Sequence, residues 1–375
     1  MAEAKVVHLT SVHPPFDVRI FAKECKSLAR AGHDVTLVVP HERDEVVDGV
    51  VIKSVPRASG RVSRMTRTVC KVYREALRQD ADIYHFHDPE LIPVGLLLRA
   101  RGKNVIYDIH EDYPQAILSK HYLRRWIRRP VSWVMERFEN FASRRLSALV
   151  AATPSIASRF GDVNSRVRVV QNFPVAEELT KDWHPTWDQR QLSVTYVGGM
   201  SDIRGAFEMV RAIALIPPTL PATLKLVGGF SPSSLRHELA RLAGWEKVEV
   251  LGLMDRVGVA RVLNSVRAGL VLSHPEPRHK VSYPIKMFEY MAVGIPVIGS
   301  DFPLWREIIE EAGCGLVVNP LDPQAIAGAI EHLLTHPEEA EAMGRRGREA
   351  VEKKYNWATE EKKLLALYEE VLANA

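Results

Sequence analysis

Short runs of aliphatic and β-branched residues recur along the chain, each followed by a longer stretch whose apolar positions fall at helical spacing. In the first half the runs are Lys5–Leu9, Val35–Val39, Asp82–Phe86, Asn104–Ile109, Ala148–Ala152 and Arg168–Gln171. In the second they are Ser193–Val197, Thr223–Val227, Val248–Leu251, Gly269–Ser273 and Pro296–Gly299. Short apolar runs alternating with amphipathic segments read as parallel strands with helices on the sheet faces. The helix expected over Phe16–Ala31 is stopped by Gly32, a residue suited to the left-handed turn after a helix. Residues 173–191 hold two prolines and two tryptophans but little apolar periodicity, so they read as a linker. The pattern therefore predicts an α/β protein of two Rossmann-like domains facing a cleft, with 1–172 before the linker and 192–357 after it.

A length of 375 residues suits two domains, each with its own core. No apolar run approaches the ~20 residues that span a bilayer, and the N-terminus shows no secretory leader. The three cysteines, Cys25, Cys70 and Cys314, are scattered, which indicates neither a disulfide framework nor a metal cluster. A cytoplasmic location is the expectation. Charge is divided unevenly: residues 1–172 carry 28 Lys/Arg against 19 Asp/Glu, a net of +9, and the remainder 22 against 27, a net of −5. A basic first half points to an anionic partner there. No nucleic-acid module is recognisable, so a membrane surface or a phosphorylated acceptor is the better fit.

The turn after the first strand is Thr10-Ser11-Val12-His13-Pro14-Pro15, without the glycines of a dinucleotide fingerprint, and the chain has no Walker-type loop. The most informative stretch is YPIKMFEYMAVGIPVIGSD, residues 283–301. Ser282 can cap a helix there, Pro284 suits its first turn and Gly294 ends it. A helix N-terminus attracts phosphate, and Lys286 and Glu289 share one face of this helix. A cation at a diphosphate and a carboxylate one turn on, accepting from ribose hydroxyls, meet the needs of nucleotide-sugar recognition. Taken alone, the pair reads equally well as a surface salt bridge.

This segment resembles the donor-site motif of the retaining, GT-B-fold glycosyltransferases of family 4, an E-x7-E pattern ahead of a G-x-P-V-I strand, in a P-x-K-x-x-E-Y-M-A version. The resemblance implies that Glu289 binds the donor ribose and that Ser282 and Tyr283 lie in the turn beside the diphosphate and sugar. Val281 stands where the first glutamate of the pattern belongs. VTYVGGMSDIRG, residues 194–205, resembles the loop that opens the family's donor domain. It implies a diphosphate grip by Arg204 and Lys286 with the amides of Gly198 and Gly199, although Gly199 replaces an expected arginine. Val227-Gly228-Gly229 and Val250–Met254 resemble further loops of that domain, which would place Gly229 and Leu253 at the donor, the latter beside the base. Asn356-Trp357 and the helix after it resemble a C-terminal segment, about 358–375, that packs back on the N-terminal domain.

For the acceptor side the resemblance points to His110, at the end of the fourth strand, near the reacting sugar. His13, Asp17 and Arg19 follow the first strand and are candidates to touch the acceptor hydroxyl. Asp17 reads equally as a helix cap. No metal and no cofactor are expected: Asp80-Ala81-Asp82 precedes its strand, and His85 and His87 share a strand face with no glutamate or cysteine near them in sequence. The expected partners are a nucleotide-sugar donor, with a UDP-sugar foremost, and a glycan or lipid-linked acceptor. A non-hydrolysing epimerase and an inert nucleotide-binding subunit are the alternatives. Two basic stripes, Arg61, Arg64, Arg67, Lys71, Arg74 and Arg78, and Lys120 to Arg145 with Trp126 and Trp133 interleaved, suggest contact with an anionic membrane or simply solvated faces.

Overall fold

The structure is a computed structural model of the chain and describes residues 3–118, 123–181, 183 and 185–374. It forms two compact units, Met1–Asn172 with Ala358–Ala375, and Phe173–Trp357. The first is built on eight strands: β1 (Lys5–Leu9), β2 (Asp34–Pro40), β3 (Glu45–Val47), β4 (Val50–Val55), β5 (Ile83–Phe86), β6 (Asn104–Ile109), β7 (Ala148–Ala151) and β8 (Val167–Val169). Their order is β3-β4-β2-β1-β5-β6-β7-β8, parallel except for β3 against β4. The second unit has six parallel strands in the order β11-β10-β9-β12-β13-β14. They are β9 (Ser193–Val197), β10 (Thr223–Val227), β11 (Val248–Gly252), β12 (Ala268–Val271), β13 (Val297–Ser300) and β14 (Gly315–Val318).

Three strands were not expected from the sequence. β3 and β4 form a hairpin turned by Asp48 (φ 51°) and Gly49 (φ 79°), a two-residue Asp-Gly turn whose positive φ values match the strand twist. β14 is a four-residue edge strand that follows the left-handed Gly313. The expected helix after β1 begins two residues late, at Val18, because Asp17 caps it. It is wound with π-type turns over Val18–Cys25 and as an α-helix over Lys26–Arg30, and Gly32 (φ 92°) follows.

The stretch 173–191, expected as a linker, is built into the second unit. Phe173, Leu179 and Trp187 are buried. The Arg190 guanidinium donates to the carbonyls of Leu263, Asn264, Val266 and Val293 at 2.8–3.2 Å. The C-terminal helix Trp357–Ala373 buries Leu364, Leu367, Tyr368 and Val371, and its Glu360 accepts from the Gln171 backbone at 2.9 Å.

In each sheet the strand order reverses beside one central strand, β1 in the first unit and β9 in the second. Loops leaving the carboxyl ends of the strands diverge at such a point and leave room for ligand. That is where the residues of interest gather.

Candidate functional site

In the second unit the loop after β9 passes through Gly198, whose φ of 129° belongs to glycine. The loop after β10 crosses at Gly228 (φ 132°), where a Cβ would stand 2.1 Å from the Gly198 carbonyl oxygen. The two glycine loops thus rest backbone on backbone. Two cations reach this bare surface. A Cβ on Gly198 would lie 3.0 Å from Lys286 Nζ, and one on Gly199 would lie 3.4 Å from Arg204 Nη1. Arg204 donates to the Gly199 carbonyl at 3.0 Å, and Lys286 Nζ lies 3.5 Å from the centre of the Tyr196 ring.

Among the described residues no carboxylate pairs with Lys286. Burial holds its pKa well below the usual lysine range, and the neighbouring Arg204 lowers it further against a smaller opposing pull from Glu289. Desolvation and like charge both disfavour an ammonium, and an anion would relieve both. Lys286 comes from the first turn of the helix Ile285–Ala292, whose free amides favour the same kind of ligand. The helix is fixed by Tyr290: its hydroxyl accepts from the Val197 amide at 3.0 Å, and its ring lies where any side chain on Gly269 would stand.

The five other expected donor residues, Glu289, Leu253, Ser282, Tyr283 and Gly229, behave differently from one another. Glu289 is buried and accepts from Arg256 Nη1 at 2.6 Å, and Glu178 lies 3.6 Å from the same guanidinium. Its carboxylate therefore faces the helix Arg256–Ser265, which follows the Leu251–Met254 loop; Leu253 there is 87% exposed. Ser282 does not cap the helix. Pro284 stands at that position, and the Ser282 hydroxyl donates to His279 O at 3.0 Å while its carbonyl accepts from Trp305. The Tyr283 ring sits beside Phe173 and Phe288. Gly229 lies on the loop after β10, where its carbonyl accepts from the Met200 amide at 2.8 Å. Val281 is half exposed, so no carboxylate is supplied at that point.

In the first unit the turn after β1 is closed around a carboxylate. Asp88 Oδ2 accepts from the Thr10 hydroxyl at 2.8 Å and from the amides of Ser11 and Val12 at 2.6 and 3.2 Å. The amides that hold a phosphate in dinucleotide folds are here filled by the protein itself, which explains in physical terms why this turn lacks glycines. His13 lies 3.5 Å from Asp88 and 3.4 Å from Asp17. Burial alone would lower its pKa, but the hydrogen bond to Asp17 and the charges of Asp88, Asp17 and Asp108 raise it. Asp17 accepts from the Arg19 and Ile20 amides at 2.8 and 2.9 Å, so it caps its helix; burial opposes but His13 and these amides outweigh it, and its pKa is lowered.

Arg19, expected near the acceptor, is spent inside the unit. Its guanidinium grips Asp108 through two bonds of 2.8 and 2.9 Å and lies 3.0 Å from Glu24. His110, by contrast, emerges from this network: its Nε2 is 3.0 Å from Asp108 Oδ2 and its side chain keeps 15% of its surface in solvent. His8, His85 and His87 lie behind it, fully buried, with burial as the main cause of lowered pKa values, to about 4 for His87. Asp108 is held well below the carboxylate range because Arg19, His110 and His87 outweigh its burial, whereas burial and Asp108 push Glu24 up.

Folding brings to His85 and His87 the carboxylates that no nearby sequence supplied. Ligand atoms of Glu24, His85, His87 and Asp108 lie within 4.8 Å of one another. The bidentate Arg19 already supplies the positive charge, and a divalent cation there would face a guanidinium in contact with both carboxylates. Asp80 and Asp82 are at the opposite end of the strand, engaged with Lys103 and with the Lys5 amide.

Sequence reasoning passed over Tyr196, Tyr290, Arg256, Asp88, Asp108 and Glu24. Asp108 carried a usable signal, an acidic residue inside an otherwise apolar strand two positions before His110. The others depend on contacts between residues far apart in the chain.

Residues 19–174 match the family described as Glycosyltransferase Family 4, and residues 191–336 match Glycosyl transferases group 1. The chain is 23% identical over 355 residues to the phosphatidyl-myo-inositol mannosyltransferase of Mycolicibacterium smegmatis, covering 92% of this chain and 87% of that one. A 30% identical match to the Mycobacterium leprae protein of the same name is shorter, spanning 40% of this chain and 38% of that one. Among solved structures, sucrose-phosphate synthase from Thermosynechococcus elongatus aligns with a TM-score of 0.75 at 19% identity over 99% of this chain and all of the other. Anabaena HepE in complex with UDP-glucose aligns with a TM-score of 0.72 at 15% identity over 98% of this chain and all of that one. With family matches over both units and a shared architecture along nearly the whole chain, this protein belongs to the family 4 glycosyltransferases of GT-B fold.

Proposed function

We propose that the protein transfers a sugar, with retention of anomeric configuration, from a nucleoside-diphosphate sugar to a glycan or lipid-linked acceptor of the cell envelope. The observation that carries this reading is the pair Arg204 and Lys286, cations without carboxylate partners among the described residues, set against two glycine loops and a helix N-terminus. Such a site stabilises charge developing on a departing diphosphate and needs no nucleophile of its own. Glu289 is assigned to the ribose. UDP is the expected carrier, in line with the HepE neighbour solved with UDP-glucose. Envelope synthesis is favoured by relatives named as phosphatidylinositol mannosyltransferases and as a rhamnosyltransferase. Two fixed cations make a leaving-group metal redundant, so the reaction is proposed to proceed without one. A screen of nucleotide sugars by thermal shift in excess EDTA, followed by product analysis, tests the reading. A UDP-sugar should raise the melting temperature and be turned over. Stabilisation by none of them, or transfer restored only by Mg²⁺ or Mn²⁺, would refute the corresponding part.

The acceptor is proposed to reach the first unit from an anionic membrane. The helix Arg125–Ser143 carries Trp126 (73% exposed), Trp133 (58%), Val134 and Phe141 on one face, with Arg137 over Trp133 and Arg145 over Phe141. Among the described residues no helix is long and apolar enough to cross a membrane. Of the stripe from Arg61 to Arg78, Arg64 is committed to Glu90 and Arg78 pairs with Glu75 while its side chain stays exposed. Lys120 lies outside the described residues.

A further inference from the structure

The ion pair between Asp108 and Arg19 favours one set of proton positions along the hydrogen-bonded chain behind His110. Asp108, ionised and held by both arms of Arg19, can only accept. His110 Nε2 at 3.0 Å and His87 Nδ1 at 3.2 Å must therefore both carry hydrogen toward it. A neutral His87 protonated at Nδ1 has a bare Nε2, which must accept from His8 Nδ1 at 2.9 Å. His8 Nε2 is then bare in turn and accepts from the Tyr368 hydroxyl at 3.2 Å. The Tyr368 oxygen is left to accept from His85 Nδ1 at 2.7 Å. The direction of every bond follows from the charge on Asp108.

His87 Nδ1 also stands 3.3 Å from His110 Nε2. Were the chain reversed, that nitrogen would be bare and would compete with Asp108 for the His110 hydrogen. Asp108 prevents this by orienting His87 as well. His110 Nδ1 makes no hydrogen bond among the described residues, and the side chain reaches solvent. We propose that Asp108 is a positioning residue for His110, holding it in the Nε2–H tautomer so that Nδ1 is presented as a hydrogen-bond acceptor to a sugar hydroxyl. This rests on the reading of the first unit as the place where His110 meets the reacting sugar.

Long-range ¹H–¹⁵N correlation spectra of ligand-free, ¹⁵N-histidine-labelled protein at neutral pH test it directly, with His→Gln variants for assignment. The expected result is Nε2–H for His110 and Nδ1–H for His8, His85 and His87. His110 found as the Nδ1–H form or as imidazolium overturns the proposal. The kinetic test uses Arg19→Met/Asp108→Asn, which removes both members of the buried pair and leaves Glu24, whose carboxyl burial already pushes toward its neutral form. Its kcat should fall about tenfold or more, as for loss of a positioned acid–base group, with the KM for nucleotide sugar within about twofold. An unchanged kcat, or a loss confined to KM, overturns the proposal. Tyr368→Phe removes the last donor but leaves Asp108 in command, so His110 and His87 should keep their tautomers; a change there would make Tyr368 the determinant and overturn the assignment. The NMR experiment needs no substrate. A wrong tautomer defeats this inference and leaves sugar transfer standing, while a right one in a protein that turns over no nucleotide sugar defeats the functional reading.

Discussion

Both units gather charge near the carboxyl ends of their strands, and they treat it in opposite ways. In the first unit Asp108 is surrounded by donors from Arg19, His87 and His110, and the loop amides that could take an anion hold Asp88 instead. In the second, Lys286 is half-buried beside the exposed Arg204, with its ammonium 3.5 Å from the centre of the Tyr196 ring. A satisfied charge is a structural element and removing it costs stability. An unsatisfied one is strain that a ligand relieves, and removing it costs function. The contrast is what supports proposing the second unit as the place where a phosphate-bearing substrate binds.

The largest effect should come from the satisfied charge. Asp108→Ala leaves Arg19 buried without its bidentate partner and should cost about 3–5 kcal/mol of stability, measured by urea denaturation of the ligand-free protein. A loss below about 1 kcal/mol would mean that solvent already reaches the pair. Next is Glu289→Ala. Losing a hydrogen bond between a charged group and ribose should weaken nucleoside diphosphate binding by about 2–3 kcal/mol by calorimetry. Unchanged affinity in a folded variant would confine Glu289 to its contact with Arg256.

A smaller effect concerns pH. His8, His85 and His87 have pKa values below that of an unfolded histidine, so between about pH 6.5 and their folded values the unfolded state binds more protons. Stability is then fully present above about pH 6.5 and declines as pH falls, with His87 contributing down to about 4. The slope should approach ~1.4 kcal/mol per pH unit for each histidine. His13 acts with the opposite sign: its raised pKa favours folding below about 6.5 and that contribution fades as pH rises through the folded value. Urea melts from pH 8 to pH 4.5 should therefore show a net decline on the acid side, and flat stability there would contradict the burial of neutral histidines. The smallest effect is membrane docking, at ~1 kcal/mol per Lys/Arg near an anionic surface. Cosedimentation with anionic vesicles should fall with salt and with Trp126→Ser/Trp133→Ser; indifference to anionic vesicles at low salt would leave the face solvated.

The cluster of Gly198, Gly199, Arg204 and Lys286 was more legible in the sequence than the network behind His110, for a physical reason. Gly198, Gly199, Arg204 and Lys286 belong to two contiguous stretches in which strand, loop and helix start follow one another, so local order reports the site. Asp88, Asp108, Glu24 and Tyr368 acquire their roles only when β1, β5, β6 and the C-terminal helix are brought together, and the spacing of Arg19 after β1 gave no hint that it turns inward to Asp108. Strand positions followed from apolar runs, but the β3–β4 hairpin was missed although Asp48-Gly49 is a recognised turn pair, because its strands are short and mixed in polarity.

Lys286→Met, a change of similar volume, separates strain from structure in one experiment. Calorimetric titration with UDP and with uridine, alongside urea melts of the empty protein, reads both sides of the claim. The account predicts that the variant is at least as stable as the original chain, that UDP affinity falls about tenfold or more, and that uridine affinity is unchanged. A variant that binds UDP as tightly as the original, or that loses stability in the empty state, would contradict the assignment of the diphosphate to these cations.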